Sequence, residues 1–241
     1  MVEGYYDLCI RCLPEDDIAM ERLVSLAKHL GFNGAGIMQA TNNSKGPTLK
    51  SRSFNAYFDL ANGIEIYEDN PAKLHSHLVR YDPKVNFVMV RGGTDKLDRA
   101  AVETTYTDIL SLPFGIKGSG LDHVIARSAS DRGIALEFDV GSLIRYRGGK
   151  RVHTITELEQ RLMLARKFKV HMVLTSGARS IYDMRGPREL IALAGLFGMT
   201  KEEAIKAMTV TPAAILKKRR LPGGFIMKGV ELANERIYSE E

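Results

Sequence analysis

The chain alternates short, apolar, β-branched runs with segments in which apolar residues recur at helical spacing. This alternation is typical of repeated strand-helix units, which fold into a parallel sheet covered by helices. The candidate strands are Tyr5–Cys12, Gly34–Gln39, Asp59–Tyr67, Asn86–Gly92, Asp108–Leu112, Gly133–Val140 and His171–Ser176. We therefore predict an α/β fold, a barrel resembling the TIM barrel with about seven parallel strands and surrounding helices.

Helix signals lie between these runs. Pro14, followed by acidic residues at 15–17, indicates the start of a helix that Gly31 ends. A capping-box pattern from Thr200 to Glu203 and the pair Thr211–Pro212 indicate two late helices. The other predicted helices are Pro71–Arg80, Asp95–Glu103, Leu121–Arg132, Thr154–Phe168 and Pro187–Phe197. We expect residues 1–220 to form one barrel domain and residues 221–241 to be an appended C-terminal tail.

Length and charge limit the function classes. A chain of 241 residues can bury the core of one large α/β domain. An excess of Lys and Arg gives a net charge of +5, which favours a polyanionic partner such as RNA or DNA. The sequence has neither an apolar run long enough for a bilayer nor a signal peptide, so we expect a cytoplasmic location and no membrane partner.

Two short motifs that can indicate a metal or redox site are weak here. Cys9 and Cys12 form a C-x-x-C, but neither a helix N-terminus nor a second cysteine pair accompanies it. His75 and His77 lie in a predicted helix, where residues two apart point about 200° apart around the axis. We therefore predict structural roles for the cysteines and solvated positions for the histidines.

Two acidic residues alternate with apolar residues in the sixth predicted strand. Glu137 and Asp139 are expected to face the barrel interior, where an unpaired carboxylate is costly. A paired structural role and a catalytic role are both open. Asp122 and His123 follow a glycine-rich stretch at 115–120, and helix capping by Asp122 is favoured over a site role. The glycine spacing matches no known phosphate-binding loop.

Basic residues concentrate on the loops that follow the predicted strands. Arginine suits phosphate because its planar guanidinium donates hydrogen bonds in pairs, and several such contacts make binding salt-dependent. Scattered solubilising charge would instead spread over the helices and both ends of a barrel. Tyr146 and Tyr182 are the few aromatic residues nearby, which favours backbone and shape contacts. The residues predicted to bind RNA or a partner are Arg11, Lys45, Lys50, Arg91, Lys117, Arg145, Arg147, Arg179, Arg185 and Arg188.

Three segments resemble the ribonuclease P protein component 3 family, the archaeal counterpart of the thirty-kilodalton subunit of the eukaryotic enzyme. They are Gly120–Ala126 (GLDHVIA), Gly133–Phe138 (GIALEF) and Leu174–Ile191 (LTSGARSIYDMRGPRELI), of which the last is the most specific. The resemblance covers residues 5–220. It implies a barrel like that of the polymerase and histidinol phosphatase (PHP) metal-dependent phosphoesterases.

The resemblance also implies that the metal site of that fold is lost. The phosphoesterases carry Asp-Leu-His-x-His after the first strand and Ser-Asp-Ala-His after a late strand. Here residues 7–11 read Asp-Leu-Cys-Ile-Arg and residues 176–179 read Ser-Gly-Ala-Arg. Arg11 and Arg179 thus replace histidines, and an arginine repels a cation instead of ligating it. Neither a metal ligand nor a catalytic residue is expected in this chain.

The function implied by the resemblance is that of a non-catalytic subunit of ribonuclease P. In this ribonucleoprotein endonuclease, the RNA removes the 5′ leader from precursor tRNA and holds Mg²⁺, and the isolated subunit binds no cofactor and has no activity. The implied partners are the ribonuclease P RNA, a small ferredoxin-like subunit in a two-plus-two assembly, other ribonuclease P proteins and precursor tRNA.

Two alternatives stay open from the sequence. A free-standing metal-dependent phosphoesterase of the PHP fold would need ligands drawn from Asp7, Glu65, Asp122, His123, Glu137 and Asp139. A purely protein-binding scaffold would show no salt-dependent affinity for RNA.

Overall fold

A computed structural model describes residues 4–11, 17–42, 58–81, 85–115, 120–220, 225–227 and 230–231. All of the predicted strands are present and pair in parallel, in chain order along one sheet. A bridge between Ile10 and Ala178 brings the first strand against the segment after the last one, so the barrel is nearly closed. The strands are β1 (Tyr6–Arg11), β2 (Gly34–Asn42), β3 (Asp59–Tyr67), β4 (Phe87–Arg91), β5 (Ile109–Ser111), β6 (Ala135–Asp139) and β7 (Met172–Thr175).

Helices connect and surround the strands. They are α1 (Asp17–His29), α2 (Pro71–Tyr81), α3 (Asp95–Glu103), α4 (His123–Arg132), α5 (Gly141–Arg145), α6 (Gly148–Phe168), α7 (Pro187–Gly195), α8 (Lys201–Met208) and α9 (Val210–Arg220). The predicted start of α6 at Thr154 was wrong, because the pair Gly148–Gly149, which indicates a loop in the sequence, forms its first turn. The sequence did not predict α5, which is too short to show helical periodicity.

Helix caps follow the sequence signals. The Asp122 side chain accepts a hydrogen bond of 2.7 Å from the Ile125 backbone N–H, which confirms its capping role. Thr200 and Glu203 form the predicted capping box at α8. Within the described ranges, no helix is long and apolar enough to cross a membrane.

The strand period separates an inner core from an outer core. In β4, Phe87 and Met89 belong to the cluster inside the barrel, whereas Val88 and Val90 pack against the surrounding helices. This alternation follows from the two-residue period of a strand. The inner cluster also contains Leu8, Cys9, Met38, Ala61, Ile109, Ala135, Val173, Ile215 and Leu216.

One end of the barrel is covered by α9. Ile215 and Leu216 join the inner cluster, and Lys218 Nζ lies 3.4 Å from Asp108 Oδ1, just before β5 begins. Because Asp108 precedes its strand, α9 covers the amino-terminal end of the barrel, and the carboxyl-terminal end is left for function.

The structure describes only part of the cysteine pair and of the predicted C-terminal tail. Cys9 is buried in the inner core, as expected for a structural cysteine, and Cys12 lies outside the described residues. In the predicted tail, β8 (Phe225–Met227) pairs antiparallel with β9 (Val230–Glu231). The division into a barrel and a tail stays a prediction.

Candidate functional site

The inward-facing positions of the strands become polar toward the carboxyl ends. In β6 they run from Ala135, in the inner core, to Glu137 and Asp139. Because parallel strands end on the same side, such residues from several strands gather around one opening. We call this opening the mouth and define it by Asp7, Arg11, Glu65, Arg91, Glu137, Asp139 and Arg145.

An ion pair between β1 and β3 occupies one side of the mouth. The Arg11 guanidinium donates two hydrogen bonds to Glu65, of 3.1 Å from Nε to Oε2 and 2.9 Å from Nη2 to Oε1. Arg91 Nη1 lies 3.8 Å from the same carboxylate. Burial tends to raise the pKa of Glu65, but its bonds with Arg11 and the charges of Arg91 and Arg179 lower it overall. Glu65 is therefore ionised, and the positive charges of the neighbouring arginines balance its negative charge.

A second ion pair joins the end of β6 to α5. Arg145 Nη2 lies 2.8 Å from Asp139 Oδ2, and its Nη1 donates a hydrogen bond of 3.1 Å to the Gly177 carbonyl oxygen. Gly177 has a φ of +53°, and a Cβ there would lie 2.5 Å from Asp139 Oδ1. Only glycine fits this close approach without strain. The Ser-Gly-Ala-Arg segment thus contacts the carboxylate directly.

Two further carboxyl groups lie below these pairs. Asp7 Oδ1 accepts hydrogen bonds from the backbone N–H groups of Cys9, at 3.1 Å, and Ser176, at 3.3 Å. Glu137 Oε1 accepts one of 2.8 Å from Thr175 Oγ1. Burial raises the pKa of Asp7, and this effect exceeds the opposing effect of its hydrogen bonds. Asp7 therefore favours its neutral form more than an exposed aspartate does.

The ligand set of a phosphoesterase does not come together. In the part of the chain that the structure describes, no three His, Cys, Asp or Glu side chains are placed to hold one metal ion. Asp122 caps α4 and bonds Arg99 at 3.0 Å, and His123 is exposed on the same helix. At the mouth, the guanidinium groups of Arg11 and Arg145 hold Glu65 and Asp139.

The basic residues of the C-terminal half differ in whether their guanidinium groups bond within the chain or are exposed to solvent. Arg145 bonds Asp139, and Arg185 Nη1 donates to the carbonyl oxygens of Tyr182 and Met184. Exposed side chains are those of Arg147 before α6, Arg179 after β7 and Arg188 in the first turn of α7. Lys45, Lys50 and Lys117 lie outside the described residues. Binding by all of these residues stays a prediction.

Sequence reasoning missed the pairing of the site residues. Arg11 and Glu65 were considered separately, as a binding residue and as a possible metal ligand. The two-residue period of a strand could have revealed this pair. It places Glu65 on the inner face of β3, just as it places Glu137 on the inner face of β6.

The chain matches the family described as RNase P subunit p30 over residues 4–222. The chain belongs to this family. Two relatives named ribonuclease P protein component 3 agree with the match. The one from Methanococcoides burtonii is 46% identical over 229 residues, which cover 95% of the chain and 94% of the relative. The one from Methanosarcina barkeri is 37% identical and covers 98% of each chain.

A solved structure agrees in fold and sequence. A chain in the cryo-EM structure of archaeal ribonuclease P with mature tRNA superposes with a TM-score of 0.75 and 26% identity, covering 96% of this chain and 99% of that one. The predicted barrel and the predicted family are confirmed. The chain is a ribonuclease P protein subunit, and this conclusion is supported over the free-standing phosphoesterase.

The protonation of Asp139 gives a first testable consequence. Burial, and then the charge of Glu137, raise its pKa to about 6, while Arg145 opposes them. Below the ordinary pKa of about 3.9 the contribution of Asp139 to stability is complete, and it is lost as pH rises through about 6. NMR titration of the Asp139 carboxyl carbon should show a midpoint near 6, and Arg145→Ala should raise it.

The matched control is Asp139→Asn, which should remove this part of the pH dependence of stability in urea unfolding. A carboxyl carbon that titrates near the ordinary value in the folded protein would contradict the assignment.

Proposed function

We propose that the chain supports the catalytic RNA of ribonuclease P while that RNA removes the 5′ leader from precursor tRNA in the cytoplasm. Mg²⁺ is held by the RNA, and the chain itself binds no metal or cofactor. The predicted basic residues contact the RNA or a partner subunit. The observation that carries this proposal is the exposure of Arg147, Arg179 and Arg188 on the segments that follow β6 and β7.

The physical role of this surface is charge neutralisation. Phosphates of a folded RNA repel one another, and guanidinium groups offset that repulsion by paired, charge-assisted hydrogen bonds. Exposed Arg147, Arg179 and Arg188 have the accessibility for such contacts, whereas Arg11 and Arg145 hold the mouth together. A subunit that neutralises phosphates lets the RNA keep its active shape at a lower Mg²⁺ concentration.

The assembly proposed for the chain follows the family. We infer that it pairs with a small ferredoxin-like subunit in a two-plus-two arrangement, together with other ribonuclease P proteins. The structural relative, which comes from archaeal ribonuclease P with mature tRNA, supports partners that include RNA and protein. The barrel forms the core of this subunit, and residues 221–241 form a separate tail.

Precursor-tRNA cleavage tests the proposal directly. The particle is reconstituted with and without the chain, and the cleavage rate is measured across a Mg²⁺ titration. We expect the chain to shift the half-maximal rate to a lower Mg²⁺ concentration, because its basic groups replace part of the cation requirement. Equal Mg²⁺ dependence in both particles would contradict the proposed function.

A double variant, Arg147→Glu with Arg188→Glu, tests the effect of surface charge on RNA without disturbing the fold. Both side chains are exposed, and the ion pairs at the mouth are left intact. The variant should unfold like the wild type but lose most of the Mg²⁺ shift. Stoichiometric Zn²⁺ or Mn²⁺ in the purified chain, together with phosphatase turnover, would instead support the phosphoesterase.

A further inference from the structure

A small cavity lies beside the mouth at the carboxyl ends of β3 and β4. Its volume is about 230 Å³. Cavities that enclose drug-sized ligands measure about 300–1,000 Å³, so this one suits a smaller group, such as one nucleobase. Its lining residues include Tyr67, Glu68, Arg91, Gly92, Gly93 and Pro113.

One wall of the cavity is aromatic and cationic. Tyr67 is 45% exposed although it ends a buried strand. The Arg91 guanidinium carbon lies 5.8 Å from the centre of the Tyr67 ring. Aromatic rings and guanidinium planes are the surfaces on which proteins stack unpaired bases. This pair therefore offers a flat surface to a base.

A bound base also needs a polar contact, and Glu68 can provide it. Its side chain is 4% exposed, and Oε1 accepts a hydrogen bond of 3.0 Å from the Asn70 backbone N–H. Among the described residues, Oε2 has no hydrogen-bond partner. It lies 3.2 Å from His77 Nδ1, which forms an ion pair only when the imidazole is protonated. When His77 does not pair with it, Oε2 is a buried acceptor without a donor, and a ligand group that donates to it would gain free energy.

The charges around the cavity determine where a phosphate can lie. The first turn of α3 carries Asp95 and Asp98, and the Gly93 backbone N–H already donates to Asp98 Oδ1. This helix end is therefore unfavourable for an anion. Arg91, whose side chain is 35% exposed, is the favourable contact.

We propose that this cavity binds one unpaired nucleotide of an RNA. Its base stacks on Tyr67 and Arg91, a base N–H or the ribose 2′-hydroxyl donates to Glu68 Oε2, and the phosphate lies toward Arg91. The inference rests on the proposed function and adds a specific type of contact to it. The wall formed by Tyr67 and Arg91 favours a base and its phosphate, whereas a cationic side chain from a protein partner would have to use the acidic residues on the other side of the cavity.

Chemical probing of the RNA at nucleotide resolution tests this site. The full chain is bound to ribonuclease P RNA alone and then within the reconstituted particle, as wild type, Tyr67→Ala, Glu68→Met or Tyr67→Phe. We expect one or two unpaired nucleotides to be protected by the wild type. Their reactivity should rise about fivefold or more with Tyr67→Ala, since stacking contributes about 1–3 kcal/mol per base. Glu68→Met should expose the same nucleotides.

The conservative Tyr67→Phe keeps the ring and should keep the protection, and unfolding curves confirm that each variant is folded. If the wild type protects the RNA but no nucleotide responds to Tyr67→Ala or Glu68→Met, the nucleotide site is wrong and the proposed function stands. The site is also wrong if these variants release a protein subunit while protection in the complex with RNA alone is unchanged. A wild-type chain that protects no nucleotide at all contradicts the proposed function itself.

Discussion

Replacing Arg11 by alanine is expected to lower the free energy of unfolding by about 3–5 kcal/mol, because it leaves a buried charge without its partner. Glu65 has a side chain only 5% exposed, and Arg11 donates both of the short hydrogen bonds to its carboxylate. Arg91, at 3.8 Å, is too distant to replace them. Urea unfolding at neutral pH, followed by circular dichroism, measures the loss.

Two further variants make this result specific. Arg127→Ala, on the exposed side of α4, should change stability by no more than about 0.5 kcal/mol. The double variant Arg11→Met with Glu65→Met should recover most of the loss, because apolar residues of similar size can replace a buried ion pair. A loss below about 1 kcal/mol for Arg11→Ala would show that Arg91 and Arg179 suffice to hold Glu65.

The second large effect is expected inside the barrel. Phe87→Ala should lower the free energy of unfolding by about 3–5 kcal/mol, through lost apolar burial and the cavity left behind. Phe87 is fully buried, and a Cβ added at Gly36 or Gly63 would lie 2.7 or 2.3 Å from its Cζ. The ring thus fills space that β2 and β3 leave by having no side chain at these positions. Urea unfolding again measures the loss.

Phe87→Leu is the matched control and should cost much less, since it keeps most of the apolar volume. Val152→Ala, at a side chain 61% exposed on α6, should have little effect. A Phe87→Ala protein with nearly wild-type stability would mean that the inner core collapses around the missing ring.

Much of the fold was predictable because it depends on local patterns. Each strand of the barrel is an apolar run of a few residues between turn signals, and Thr200 and Glu203 indicate the start of α8. The errors fall where local signals are weak or misleading. The sequence of α5 is too short to show a period, and the glycines at 148 and 149 indicate a loop where α6 begins.

The candidate site was predictable only in its residue types. Arg11 and Arg179 were visible in the sequence, and so was the inward direction of Glu137 and Asp139. The partners were not visible, because Arg11 and Glu65 are separated by 54 residues and lie on β1 and β3, whose carboxyl ends meet at the mouth although β2 lies between the two strands. No local spacing encodes that contact.

The sequence by itself therefore determined the repeated strand-helix order, the family and the basic character of the loops. These properties depend on periodicity, motifs and composition, which neighbouring residues carry together. Only the tertiary structure decided which arginines hold Glu65 and Asp139 and which, such as Arg179 and Arg188, stay exposed. Whether an arginine pairs with a carboxylate of the same chain or stays exposed to a partner depends on residues far apart in the sequence. The closing of the barrel brings these residues together.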